Sequence, residues 1–254
     1  MSETIVEILP SDESVAIYAA SLLNEWASED EAPMAVALAG GSTPKRLYQL
    51  LAQENELPWE RFQWYFGDER SVPADDADSN YRMAREALFD AAGINADSVH
   101  RVKTELGDPA SVAQDYEKTI KERVPLNDQG VPVFDVIFLG MGTDGHTASL
   151  FPHTTALDVR DRAVVENHVT QLDTWRYTLT APVLLAAKRV VLLVTGASKT
   201  QALWEVLEGD ENVAEYPTQL LREREGETLW LVDEAAAGNL WEEADDDGDG
   251  DGDA

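Results

Sequence analysis

Six short runs rich in β-branched and aromatic residues alternate with helix-period stretches along this 254-residue chain, and that alternation narrows the fold more than any other feature. Ile5 to Leu9, Met34 to Ala39, Phe62 to Phe66, Phe134 to Leu139, Val190 to Thr195 and Leu229 to Val232 read as strands. Asp12 to Trp26, Pro44 to Gln53, Asn80 to Ala92, Ala110 to Arg123, Pro182 to Ala187, Lys199 to Glu208 and Glu234 to Trp241 read as helices. The pattern predicts an α/β fold, a Rossmann-like and mainly parallel sheet flanked by helices. The Pro/Asp/Gly-bearing stretch Val124 to Pro132 is too short and weakly marked for a domain boundary, and no internal repeat is present. One domain over residues 1–241, followed by a tail over 242–254, is the expected organisation.

The unusual residues fall directly after strands. Gly40-Gly41-Ser42-Thr43-Pro44, Gly67-Asp68-Glu69-Arg70, Gly140-Met141-Gly142-Thr143-Asp144-Gly145-His146 and Gly196-Ala197-Ser198-Lys199 each follow one. In a parallel sheet such loops share the carboxyl edge, so all four are expected to converge on one cleft. The first loop supplies backbone N–H groups at a helix start, where a phosphate is the natural guest, although an ordinary capped turn has the same look. Lys199 offers a point charge to the same anion, and Asp68 with Arg70 offers either a strand-end ion pair or a means to hold a sugar and stabilise developing charge. Gly140 to Gly145 spells G-x-G-x-x-G, with Glu166 about 20 residues on, yet Pro152 soon interrupts the long helix that a dinucleotide site requires. His146 is the candidate general base, because imidazole titrates near pH 6.5, and either Asp144 or neighbouring backbone groups are expected to orient it. His100, His153 and His168 have no comparable glycine-rich setting and read as structural or surface residues.

Composition removes several function classes. With 49 acidic and 19 basic residues the net charge is −30, which disfavours binding to nucleic acid or to an anionic membrane surface. The chain has no cysteine, hence no disulfide scaffold and no thiol nucleophile. It has no H-E-x-x-H zinc signature and no G-x-S-x-G elbow. No run approaches a membrane span, and Met1 to Pro10 lacks the basic start and apolar core of a signal peptide, so a cytoplasmic protein is expected. Residues 242–254 carry eight acids and no apolar side chain larger than alanine, which predicts a disordered tail, and the late glutamate of a calcium loop is missing there. The remaining 22 units of negative charge belong to the rest of the chain, and either adaptation to very high salt or an acidic mesophile accounts for them.

Taken together, these residues resemble the 6-phosphogluconolactonases of the glucosamine-6-phosphate isomerase/6-phosphogluconolactonase family. The motifs are Leu38-Ala-Gly-Gly-Ser-Thr-Pro44, Gly67-Asp-Glu-Arg-Ser-Val-Pro73 with Ser79-Asn80, and Leu139 to Pro152. Arg176-Tyr-Thr-Leu-Thr180, Val194 to Lys199 and Leu229 to Ala237 follow in order. The resemblance implies hydrolysis of 6-phospho-D-glucono-1,5-lactone to 6-phosphogluconate in the oxidative pentose phosphate pathway, with His146 activating water. It implies a phosphate clamp of Gly40, Gly41, Ser42, Thr43, Arg176 and Lys199, with Asp68 and Arg70 near the sugar and carbonyl and Asp144 and Gly145 completing the site. It implies no metal and no organic cofactor, a small sugar-phosphate as the only partner, and a monomer or small homo-oligomer. The stretch before Arg176, Gln171 to Trp175, lacks the family's usual prolines, and His153 stands where a small residue is usual. Two alternatives remain: the related glucosamine-6-phosphate deaminase, which carries Asn-Glu-Pro where this chain has Leu150-Phe151-Pro152, and a non-catalytic sugar-phosphate binder.

Overall fold

The run Arg189 to Val194 shows why these strands lie in the middle of the molecule: five consecutive aliphatic residues after the arginine leave neither face suited to water. In the computed structural model, which describes residues 4–29, 31–54 and 57–238, this strand is central in a six-stranded sheet. The sheet runs β1 (Thr4–Leu9), β9 (Glu227–Asp233), β8 (Arg189–Val194), β5 (Val136–Gly140), β2 (Met34–Leu38), β3 (Phe62–Phe66), and every pairing is parallel. Side chains alternate between two apolar layers. Val36, Leu38, Trp64, Phe66, Val136, Phe138, Val191 and Leu193 pack on one face. Ala35, Ala37, Tyr65, Ile137, Leu139, Val190, Leu192 and Val194 pack on the other.

The first layer is closed by α1 (Asp12–Glu29), α2 (Ser42–Leu51) and a helix that starts as α3 (Asn80–Ala84) and reaches α4 (Asp90–Ala92) through a π-helical turn at Arg85–Phe89. The second is closed by α5 (Pro109–Arg123), α6 (Ala181–Ala186), α7 (Thr200–Leu207) and α8 (Glu234–Ala237). Local signals set the ends. Asp108 caps α5 by accepting from the Ser111 N–H at 2.9 Å, with Pro109 in the first turn, where its missing N–H costs nothing. The six expected strands and the expected helices are present with ends shifted by up to three residues, the largest shift being the end of α1 at Glu29 instead of Trp26, and the mainly parallel α/β architecture is as the periodicity requires. Of the last expected helix only Glu234–Ala237 is seen, since its end at Trp241 and the tail over 242–254 lie outside the described residues. No helix among the described residues is long and apolar enough to cross a membrane.

A second sheet was not foreseen from periodicity. The order is β4 (Asp68–Arg70), β7 (Thr174–Leu179), β6 (Val164–Val169), all antiparallel. One face of it carries Asp68, Arg70, Arg176, Thr178 and Asn167, so its strands lack the apolar alternation that announces a half-buried sheet. In the large sheet, the chain leaves β2 toward β3 at one edge but leaves β5 toward β8 in the opposite direction. That reversal opens a crevice between the carboxyl ends of β2 and β5, and the small sheet stands beside it.

Candidate active site

A cleft of about 540 Å³ occupies the crevice. Much of its lining is main chain and small residues: Ala39, Gly40 and Gly41 after β2, Gly67 after β3, and Gly140, Met141, Gly142 and Thr143 at and beyond the end of β5. The small sheet supplies the charged wall. Register pairs Arg70 with Arg176 and Asp68 with Thr178, and because side chains alternate along a strand, Glu69 faces away from the cleft. Glu69 is 2% exposed. Its carboxylate accepts from the N–H groups of Arg70, Asn80 and Tyr81, each at 2.8 Å, tying β4 to the start of α3. Burial pushes the Glu69 carboxyl up, against the pull of those N–H donors.

The start of α3 brings Asn80 into the cleft, where its amide donates to the Asp68 carbonyl at 3.0 Å and to the Asp68 carboxylate at 3.3 Å. A Cβ at Gly40 would lie 2.1 Å from Asn80 Oδ1, so glycine here is required by packing. The other Asp68 oxygen accepts from the Ser149 hydroxyl at 2.6 Å.

The loop after β5 holds the titratable pair. Gly142 N–H donates to the His146 carbonyl at 2.8 Å and Gly145 N–H to the Gly142 carbonyl at 3.1 Å, closing a tight turn with Gly145 at φ 72°. The next helical turn is Thr155–Asp158, so this glycine pattern builds a turn and opens no dinucleotide-binding helix. Within the turn, His146 Nδ1 lies 2.6 Å from Asp144 Oδ1, and that oxygen also accepts the His146 backbone N–H at 3.2 Å. The imidazole stacks on Phe151 at 4.0 Å between centroids and 23° between planes. Burial alone would raise the Asp144 carboxyl, but the hydrogen bonds and charge of His146 outweigh it and leave Asp144 below the ordinary carboxylate value. In the neutral ring Nδ1–H is given to Asp144 and the lone pair lies on Nε2, which has no partner among the described residues.

Three cations share the cleft with this pair. Arg70 donates to the Asp78 carbonyl at 2.6 Å. Burial holds the Arg176 guanidinium below its usual pKa, and the neighbouring Arg70 charge adds to this against the opposing pull of Asp68. Burial likewise lowers the Lys199 ammonium, with Asp144 opposing. Among the described residues no carboxylate lies within ion-pair distance of Arg70, Arg176 or Lys199. Arg46, Arg82, Arg101, Arg162 and Arg189 each pair with one. In a chain of net charge −30 with 49 acids, three cations without carboxylate partners in one cleft make it a local exception to the overall field.

Of the residues singled out from sequence, Gly40, Gly41, Asp68, Arg70, Asp144, His146, Arg176 and Lys199 line the cleft together. Ser42, Thr43 and Gly145 do not. Ser42 is exposed at the start of α2, and Thr43 is buried with its hydroxyl 2.8 Å from that of Thr195. The Gly145 carbonyl accepts the Thr218 N–H and hydroxyl at 2.9 and 2.7 Å. Asn80, Ser149 and Phe151 line the cleft without having been singled out, although each sits inside a motif already quoted. His100 is buried with Nε2 2.8 Å from Gln63, His153 bonds Glu215, and His168 packs on Trp175. No cluster of three or more His, Asp or Glu suited to a metal is present among the described residues.

The model for glucosamine-6-phosphate isomerases/6-phosphogluconolactonase matches residues 10–230. A 6-phosphogluconolactonase of Synechocystis sp. is 43% identical over 205 residues, which is 81% of this chain and 84% of that one. A Nostoc sp. 6-phosphogluconolactonase is 39% identical over 92% of this chain and 98% of its own. Among solved structures, 6-phosphogluconolactonase from Trypanosoma brucei superposes with a TM-score of 0.85 at 33% identity, covering 94% of this chain and 99% of that one. The chain therefore belongs to the glucosamine-6-phosphate isomerase/6-phosphogluconolactonase family.

Proposed function

We propose that this protein hydrolyses 6-phospho-D-glucono-1,5-lactone to 6-phospho-D-gluconate, with no metal or organic cofactor. The observation that carries the reading is the Asp144–His146 pair, its Nε2 unpartnered, in a cleft whose three cations lack carboxylate partners. The relatives named as 6-phosphogluconolactonases support the same substrate.

In this mechanism His146 Nε2 takes a proton from water and the hydroxide adds to the lactone carbonyl carbon. The oxyanion of the tetrahedral intermediate is stabilised by Arg70, a charge positioned on β4 before the reaction begins. Collapse breaks the bond to the ring oxygen, which takes the proton back from His146, and the acid formed then ionises. Asp144 keeps the ring in the tautomer that has its lone pair on Nε2 and stabilises the imidazolium formed in between. Asp68 holds a sugar hydroxyl. The phosphate binds at the Gly40–Gly41 turn, where the N-terminus of the ten-residue helix α2 directs N–H groups outward, and Lys199 adds a point charge. Arg176 binds the anionic substrate beside Arg70.

Phe151 speaks against deaminase chemistry, since an apolar ring stacked on His146 stands where the deaminases carry a glutamate. The test is lactone disappearance above the spontaneous rate, measured for wild type and His146→Ala together. Wild type is expected to exceed the spontaneous rate, and the variant to lose about 10²- to 10⁴-fold of that excess. Equal rates would reject His146 as the base. Ammonia release from glucosamine 6-phosphate would favour the deaminase, and binding without turnover would favour a sensor. The expected location is cytoplasmic, and adaptation to high salt is proposed from the charge alone.

A further inference from the structure

Asp68 sits among positive charges and bonds to none of them. It lies two residues from Arg70 on the same face of β4 and diagonally across from Arg176, since register places it opposite Thr178. Such neighbours stand about 7 Å apart along or across a sheet, within reach of an arginine side chain. An ion pair would form there by default, yet neither guanidinium is within ion-pair distance of the carboxylate. Each of its oxygens accepts one hydrogen bond from elsewhere, from the Ser149 hydroxyl at 2.6 Å and from the Asn80 amide at 3.3 Å, which fixes its direction and leaves lone pairs free.

Ser149 is itself held rigidly. It is 1% exposed, its N–H donates to Thr178 Oγ1 at 3.1 Å, and its carbonyl accepts from Asn167 Nδ2 at 2.9 Å. Thr178 and Asn167 belong to the small sheet, so Ser149 fastens the loop carrying His146 to the arginine wall, and Asn167 adds a second tie to the Thr154 hydroxyl at 3.1 Å. Ala148, between them, adopts φ 48°, a left-handed conformation rare for a residue with a Cβ.

We infer that Ser149 is a positioning residue whose hydroxyl, with the Asn80 amide, holds the Asp68 carboxylate off Arg70 and Arg176 and so keeps both guanidiniums open to an anionic ligand. The inference rests on reading the cleft as a sugar-phosphate lactone site. Without the restraint, Asp68 rotates onto an arginine and becomes an internal competitor for the ligand's negative charge. The physical signature is a loss of anion affinity that disappears when the competitor's charge is removed.

The test is calorimetric titration of 6-phosphogluconate into wild type, Ser149→Ala, Asn80→Ala, Asp68→Asn and the double variant Asp68→Asn/Ser149→Ala. Ser149→Ala and Asn80→Ala are expected to bind about five- to twentyfold more weakly than wild type, inside the range that coupled neighbouring groups show. The double variant is expected to bind as tightly as Asp68→Asn alone, a rescue that simple loosening of the loop does not produce. Unchanged affinity in Ser149→Ala, or a loss that persists in the Asp68→Asn background, overturns the inference while leaving the lactonase reading intact. A wild type that binds no 6-phosphogluconate overturns both. Because Asn80→Ala cuts the second restraint independently, the outcome does not hinge on one variant folding.

Discussion

Replacing Gly142 with alanine is expected to disable the site without unfolding the protein. Gly142 is absent from the positive-φ positions, so its backbone accepts an L residue without strain. The added Cβ would nevertheless fall 2.1 Å from His146 Nδ1, 2.3 Å from Asp144 Oδ1 and 2.4 Å from His146 Cε1. Ordinary contact requires about 3.5 Å, so the pair must move by roughly 1 to 1.5 Å. The imidazole is already packed against Phe151 and cannot withdraw in that direction without breaking the stack. A 1 Å misplacement of reacting groups costs about 10²-fold. All three crowded atoms belong to partly exposed side chains that can yield, so the fold is expected to persist. The assay is lactone hydrolysis corrected for the spontaneous rate, with the thermal unfolding midpoint measured on the same samples. A variant with activity within twofold of wild type would refute the claim that the empty side of Gly142 sets the position of the Asp144–His146 pair. A midpoint lowered by more than about 10 °C would instead assign the glycine to stability.

Lys199→Ala is expected to raise KM for the lactone at least tenfold with a smaller change in kcat, and an unchanged KM would contradict the assigned phosphate contact. His100 is buried, and desolvation, helped by the charge of Arg123, lowers its pKa from 6.5 to about 4. A base whose folded pKa is depressed contributes stability above the unfolded value and loses it as pH falls from 6.5 toward 4. Chemical denaturation across that window should show wild type losing about 2–3 kcal/mol more than His100→Gln, and parallel curves would contradict the assignment. Raising potassium chloride from low to multimolar concentration should raise the unfolding midpoint, because a net charge of −30 is then screened to within about 3 Å. A flat response would favour the acidic mesophile over a salt-adapted protein.

Local chemistry wrote much of the fold into the chain. Strand runs such as Val190 to Val194 are too apolar to lie anywhere but between helices, and Gly40, Gly41, Gly67 and Gly140 follow strands in ways that require a shared carboxyl edge. Those two facts place Asp68, Arg70, His146 and Lys199 at one sheet edge, and the cleft there holds all four. The small sheet was hidden because its cleft face is polar by function, so periodicity could not reveal β4, β6 or β7. Pairing across distance decided the rest. Ser149 meets Asp68 across 81 residues of sequence, and Arg70 meets Arg176 only because β4 and β7 align in one antiparallel register. Glycine at 142 reads from sequence as turn chemistry, whereas only the folded loop makes it the space in which Asp144 and His146 meet. Turn and strand preferences are set by a residue's immediate neighbours, while register and the positions of unpartnered charges depend on where the whole chain comes to rest.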